Sequence, residues 1–162
     1  TLSLGVCNGC QLMAELGLIN HTGNESCYKM RHNISHKYES AFVGVTIEKS
    51  PSVLLKSLEG CKLGIWVAHG EGRFEFPKGD GEFNIALRYN YDSYPANPNG
   101  SPEGIAGICS NDGRHLAMMP HPERCLRSWN WAYYTEENHK VTPWTELFIN
   151  GKKWCQKNRI QK

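Results

Sequence analysis

The chain has no hydrophobic run as long as a membrane-spanning helix, so no membrane partner is expected. It has no basic block either: 18 Lys and Arg against 16 Asp and Glu give a formal net charge of +2, too even for a nucleic-acid footprint. No apolar secretory segment precedes the first strand, and the seven cysteines, at 7, 10, 27, 61, 109, 125 and 155, are odd in number. Both features predict free thiols in a reducing compartment, hence a cytoplasmic location. Internal repeats, low-complexity tracts and linkers are missing, so residues 1–162 are expected to form one domain. Residue 1 is Thr and a strand begins almost at once. The expectation is a domain incomplete at its N-terminal side, because a central strand needs neighbours on both edges. What remains is a globular composition, 40% hydrophobic and 21% charged, with enough length for a real core.

The stretch that organises the chain is Gly5-Val6-Cys7-Asn8-Gly9-Cys10-Gln11. An apolar run over 2–6 leads into it and a helical pattern over 8–16, stopped by Gly17, follows. This predicts a strand, a sharp turn at Cys7 and a helix, with Gly5 and Gly9 clearing space where the two elements crowd. Residues 20–40 read as a polar loop with one helical turn. Val43, Val45 and Ile47 mark a strand, and Ser50-Pro51 opens a short helix ended by Gly60. A buried strand over 63–68 runs into the glycine-rich turn 69–73 and an edge strand over 74–76. Another strand covers 85–89, and a proline-rich rigid loop covers 92–103. Asn111-Asp112-Gly113 between two apolar runs predicts a hairpin over 105–119. Thr142 as N-cap and Pro143 at the first position predict the last helix. The fold class expected is α/β: a mostly parallel sheet with antiparallel hairpin additions and helices on both faces.

Three groups of residues carry chemistry. Cys7, exposed at a helix N-terminus, sits where negative charge is favoured, and the backbone N–H of Asn8 is a ready donor to an oxyanion beside its sulfur. His121 and Glu123, flanked by Pro120 and Pro122, lie two apart in a segment expected to be extended, so their side chains share a side. A base near a thiol and a carboxylate orienting that base make a nucleophilic triad. A surface loop of prolines and charges is the plain alternative for that segment, and a buried structural thiol is the plain alternative for Cys7. Cys7 and Cys10 also make a C-x-x-C pair, which leaves a thiol redox domain open; zinc would need a second close pair, and the other cysteines are scattered. Cys10 is expected to pack between helix and sheet. His69-Gly70-Glu71-Gly72-Arg73 allows close backbone approach to a ligand but lacks the Lys-Ser/Thr of a phosphate loop, and Glu71 can pair with Arg73. Histidines 21, 32, 36, 115 and 139 read as surface or hydrogen-bonded residues. Trp129, Trp131, Tyr133 and Tyr134 read as core packing or a partner interface.

The stretches 5–11 and Met119-Pro120-His121-Pro122-Glu123-Arg124 resemble the class I glutamine amidotransferases, whose fold is flavodoxin-like. Within that class, 69–74 and 94–102, from Tyr94 to Pro102, resemble the phosphoribosylformylglycinamidine synthases, the FGAR amidotransferases of purine biosynthesis. The ending, through Pro143-Trp144 and the helix to Trp154, is similar to the large fused type. The resemblance implies a glutaminase domain of a ligase with Cys7 as nucleophile, His121 as base and acid, Glu123 as orienter and Gln11 as a substrate-binding residue. It implies a second oxyanion donor from a glycine-rich loop outside these residues. It also implies glutamine as substrate, a synthetase domain of the same polypeptide as partner, and ATP and magnesium in that domain with none held by this chain.

Overall fold

A computed structural model describes residues 1–19, 28–76, 83–134 and 140–158; His21, Cys27 and His139 lie outside the described residues. In chain order the elements are β1 (Ser3–Val6), α1 (Asn8–Glu15), β2 (Lys29–Arg31), β3 (Glu39–Ile47), β4 (Lys62–His69), β5 (Arg73–Glu75), β6 (Asn84–Tyr89), β7 (Ile105–Cys109), β8 (His115–Met118) and α2 (Thr145–Lys157). Six strands form one sheet in the order β1-β8-β7-β6-β3-β4, and β2 pairs with β5 in a separate ribbon.

Alternation along the strands divides the core between the two faces. On β8, Leu116 and Met118 join the cluster of Val45, Ile65 and Trp144, while Ala117 joins the one holding Met13 and Ile108. Helix α2 covers the first face through Trp144 and Leu147, and α1 covers the second through Cys10, Met13 and Ala14. The α/β class with helices on both faces therefore holds, on a mixed sheet. The share of parallel pairing is smaller than expected. Among the described residues only β1 and β8 pair in parallel; the other four pairings of the large sheet are antiparallel. Tight connections such as the β7–β8 turn admit no other direction. That turn is the expected hairpin, with Gly113 at φ +68° and its N–H donating to Ser110 O.

Three local expectations are corrected. No α-helix follows Pro51; turns lead into a single 3₁₀ turn at Lys56–Leu58. Val53 N–H donates to Gly113 O on the hairpin, which takes it away from a helical ladder. The polar stretch 20–40 contains β2 and the start of β3; β2 is held as a strand by its pairing with β5. Thr142 does not cap α2: its hydroxyl donates to Cys125 O, and the chain enters the helix through i→i+3 bonds from Thr145 N–H and Glu146 N–H.

The sheet curls so that the two ends of its strand order approach each other. Cys7 follows β1 at one end, yet its Sγ donates to Ala68 O on β4 at the other, 3.7 Å away. His121, just past β8, bridges to the same margin: its N–H donates to Trp66 O at 2.8 Å.

Candidate active site

The elbow is a backbone outlier. Cys7 has φ 52° and ψ −107°, a region an L residue enters at a cost of about 1–3 kcal/mol and which clusters at functional sites. Both neighbouring elements hold it there. Its N–H donates to Met118 O at 2.9 Å, continuing the β1–β8 ladder, and its carbonyl accepts from Gln11 N at 3.1 Å, opening α1. Strand and helix meet closely at Gly5, where a Cβ would lie 2.4 Å from Met13 Sδ and 2.7 Å from Gly9 O. Gly9 itself faces open space, so the expectation of crowding there does not hold. Gly17, at φ +61°, closes the helix in a Schellman arrangement: Leu18 N–H reaches Met13 O and Gly17 N–H reaches Ala14 O. Asn8 opens α1, where backbone N–H groups have no partner within the helix.

His121 and Glu123 meet as expected, by a different local geometry. The segment is not extended throughout; a 3₁₀ turn over Pro122–Arg124 carries Glu123. The imidazole Nδ1 lies 2.6 Å from Glu123 Oε1, and Nε2 is buried with no hydrogen-bond partner. The side chain of His121 is 8% exposed and that of Glu123 46%. The Cys7 thiol and then the Glu123 carboxylate hold the imidazole up at about 9, against the burial that favours its neutral form. For Glu123, burial pushes the carboxyl up, but its bonds to His121 and its own backbone, with the charges of His121 and Arg124, leave it below the ordinary value. The structure thus brings Cys7, His121 and Glu123 to one place.

Gln11 reaches across from α1: its Nε2 donates to Glu71 O at 2.8 Å in the turn after β4. Glu71 pairs with His32 at 3.4 Å rather than with Arg73, whose Nε donates to His32 O. Gly72 N–H is taken by Asn33 Oδ1, so this turn is not an open phosphate cradle. His69 is buried at 3% exposure with both ring nitrogens unpartnered, and a Cβ on Gly72 would lie 2.4 Å from its ring. Burial pushes the imidazole down to about 4, and the neighbouring His121 charge adds to the fall.

Cys10 does not suit the redox alternative. Its thiol is fully buried and burial drives its pKa far above the ordinary thiol value, which suppresses the thiolate that exchange needs. Among the described residues no group of three His, Cys, Asp or Glu could hold a metal, and no helix is long and apolar enough to cross a membrane. Trp131 packs against Phe42 and Tyr134, whereas Trp129 and Tyr133 are exposed, so the aromatic group after the site is core only in part.

Residues 1–155 match the family model of the CobB/CobQ-like glutamine amidotransferase domain. The chain belongs to that family. The amidotransferase chain is 42% identical to the human phosphoribosylformylglycinamidine synthase over 95% of its length, covering 14% of that protein. It is 46% identical to the probable chloroplastic/mitochondrial one of Arabidopsis thaliana, over 96% of its length and 13% of that protein. The chain thus spans about one seventh of the curated relatives it matches. Among solved structures, PurLQS from Thermotoga maritima superposes with a TM-score of 0.73 at 28% identity, over 94% of this chain and 61% of that one. A glutamine amidotransferase from Methylobacillus flagellatus, at 14% identity and a TM-score of 0.53, shows the fold alone.

Sequence reasoning missed the contacts that four residues make around the turn after β4. Glu71 contributes a carbonyl, which no side-chain pattern reveals. His69 lay in view as a turn residue but not as a buried one. Asn33 and Asn99 look like ordinary turn formers, and only the contact between loops 66 positions apart exposes them.

Proposed function

We infer that this chain is the glutamine-hydrolysing domain of a phosphoribosylformylglycinamidine synthase, spanning residues 1–162, with Cys7, His121 and Glu123 as its triad. The observation that carries this reading is the 2.6 Å pair of His121 Nδ1 with Glu123 Oε1, on an imidazole whose other nitrogen is buried, unpartnered and beside the strained Cys7 turn. The relatives' names and the family supply the substrate class.

The Cys7 sulfur, as thiolate opposite the protonated His121, attacks the side-chain amide carbon of glutamine. The oxyanion forms beside the Asn8 N–H, at the positive end of α1, with a second donor from elsewhere in the intact protein. His121 Nε2 gives its proton to the leaving nitrogen, the C–N bond breaks and ammonia departs, leaving a glutamyl thioester. His121, now neutral, takes a proton from water as the hydroxide attacks the thioester; the C–S bond breaks and glutamate is released. Glu123 keeps the imidazole turned toward the sulfur and supports its positive charge. Gln11 holds the substrate. The ammonia then passes to a synthetase domain for the ATP-dependent conversion of FGAR to FGAM. ATP and magnesium belong to that domain in this proposal, and no residue here is assigned to them. A cytoplasmic location is part of the same proposal.

The test uses the intact protein and a glutamine-analogue electrophile. Digestion should recover the label on the peptide holding Cys7, and Cys7→Ala should abolish glutamine-dependent FGAM formation while free ammonia still supports it. Label on another peptide, or loss of both activities, would reject the assignment.

A further inference from the structure

The turn after β4 is gripped by two asparagines from other loops. Asn33 is fully buried; its Nδ2 donates to His69 O at 2.7 Å and to Lys37 O at 2.9 Å. Its Oδ1 accepts from Gly72 N at 3.0 Å, and its backbone N–H donates to Gly70 O at 2.8 Å. Asn99, also fully buried, donates from Nδ2 to Gly72 O at 2.7 Å and to Tyr89 Oη at 3.2 Å, and accepts at Oδ1 from Ser101 N. Ile34 N–H donates to Asn99 O, which ties the two loops together. The nitrogen and oxygen of both amides are engaged, as buried amides require.

These bonds hold the backbone of residues 69, 70 and 72. The carbonyl between them, Glu71 O, takes the Gln11 amide at 2.8 Å. A turn containing Gly70 and Gly72 has wide conformational freedom of its own, so a carbonyl on it would be a poor anchor for a long side chain. Fixed at the residues on both sides of it, it is a good one. We propose that Asn33 and Asn99 are positioning residues for the glutamine subsite: a buried clamp that sets Glu71 O and, through it, the orientation of the Gln11 amide. With Nε2 engaged at Glu71 O, the amide cannot rotate freely, and Oε1 is left as an acceptor for the substrate. Ordering the subsite before glutamine arrives lowers the cost of binding. The clamp rests on the glutaminase reading given above.

A purely structural role predicts something different, and Asn97 separates the two. It is equally buried in the same region, but its amide binds Asp92 O and Ser101 O and accepts from Gly100 N, without touching residues 69–72. Glutamate release from glutamine is measured in the intact protein for Asn33→Ala, Gln11→Ala, the double variant and Asn97→Ala. Asn33→Ala should raise KM for glutamine about tenfold, as expected for losing one well-placed hydrogen bond, with a smaller change in kcat. In the Gln11→Ala background it should add nothing further, because the clamp acts through that side chain. Asn97→Ala should lower the thermal midpoint and leave KM unmoved. Multiplying KM effects in the double variant, or an equal KM rise in Asn97→Ala, would overturn the clamp. If Asn33→Ala does not fold, Asn99→Asp takes its place in the cycle; it keeps the acceptor for Ser101 N and loses the donor to Gly72 O. A wild-type protein that releases no glutamate rejects the glutaminase reading itself, whereas normal hydrolysis with an unmoved KM rejects the clamp alone.

Discussion

His121 and His69 lie close enough to feel each other's charge, and both are buried, at 6% and 3% exposure. One is held up at about 9 and the other is pushed down to about 4. Burial opposes the charged form in both and is the leading cause at His69, whereas at His121 partners outweigh it. His121 has the Cys7 thiol and the Glu123 carboxylate raising it, while neither ring nitrogen of His69 has a hydrogen-bond partner and the His121 charge lowers it further. A single site thus keeps one imidazole charged and one neutral near pH 7, the separation that acid–base chemistry uses.

Removing the partner is the strongest way to break this contrast. Glu123→Gln should slow glutamate release by about 10²–10⁴-fold, because His121, the proton-transfer group that Glu123 orients, loses its support. It should also bring the His121 titration, followed by imidazole NMR, well below about 9. An unchanged titration would mean that Glu123 does not set the state of the imidazole.

The pH dependence of stability is a smaller effect with two opposite arms. The folded value of His121 lies above its ordinary 6.5, so its stabilisation is complete below about 6.5 and is lost as pH rises through about 9. The folded value of His69 lies below 6.5, so its contribution is present above that value and is lost as pH falls toward about 4. Thermal melting should therefore show a midpoint that declines on both sides of neutrality, and His121→Gln should flatten the alkaline side. An alkaline decline of equal depth in that variant would assign it to another group.

The smallest effect comes from partnership without burial. Arg31 and Glu75 pair across β2 and β5 at 2.8 Å, with both side chains nearly half exposed. Water screens such pairs, so Arg31→Ala should leave the melting midpoint within experimental scatter. A clear drop would show that the β2–β5 ribbon leans on this pair and that exposure is a poor guide to its worth.

The elbow was legible in the sequence because its signal is local: a glycine spacing around one cysteine between an apolar run and a helical pattern. The hairpin at Asp112-Gly113 was legible for the same reason. The meeting of His121 with Glu123 was read correctly from an extended geometry that the 3₁₀ turn replaces; adjacency at i and i+2 survived the wrong backbone. What stayed hidden depends on remote partners. β2 is a strand because β5 lies beside it, and the Pro51 helix fails because Val53 N–H is claimed by Gly113. The Thr142 hydroxyl is drawn to Cys125 O instead of capping α2. The Asn33 and Asn99 amides carry no pattern at all until the loops that hold them are folded together.

The curl of the sheet has a mechanical meaning for the chemistry. Nucleophile and base leave neighbouring strands, β1 and β8, at one margin and both reach across to β4 at the other, so the gap they close sums every small rotation between neighbouring strands. A push that flattens the roll anywhere along its width would widen that gap without touching either residue. Reactivity at Cys7 is in this sense a gauge of curvature, read at the seam where the two margins close.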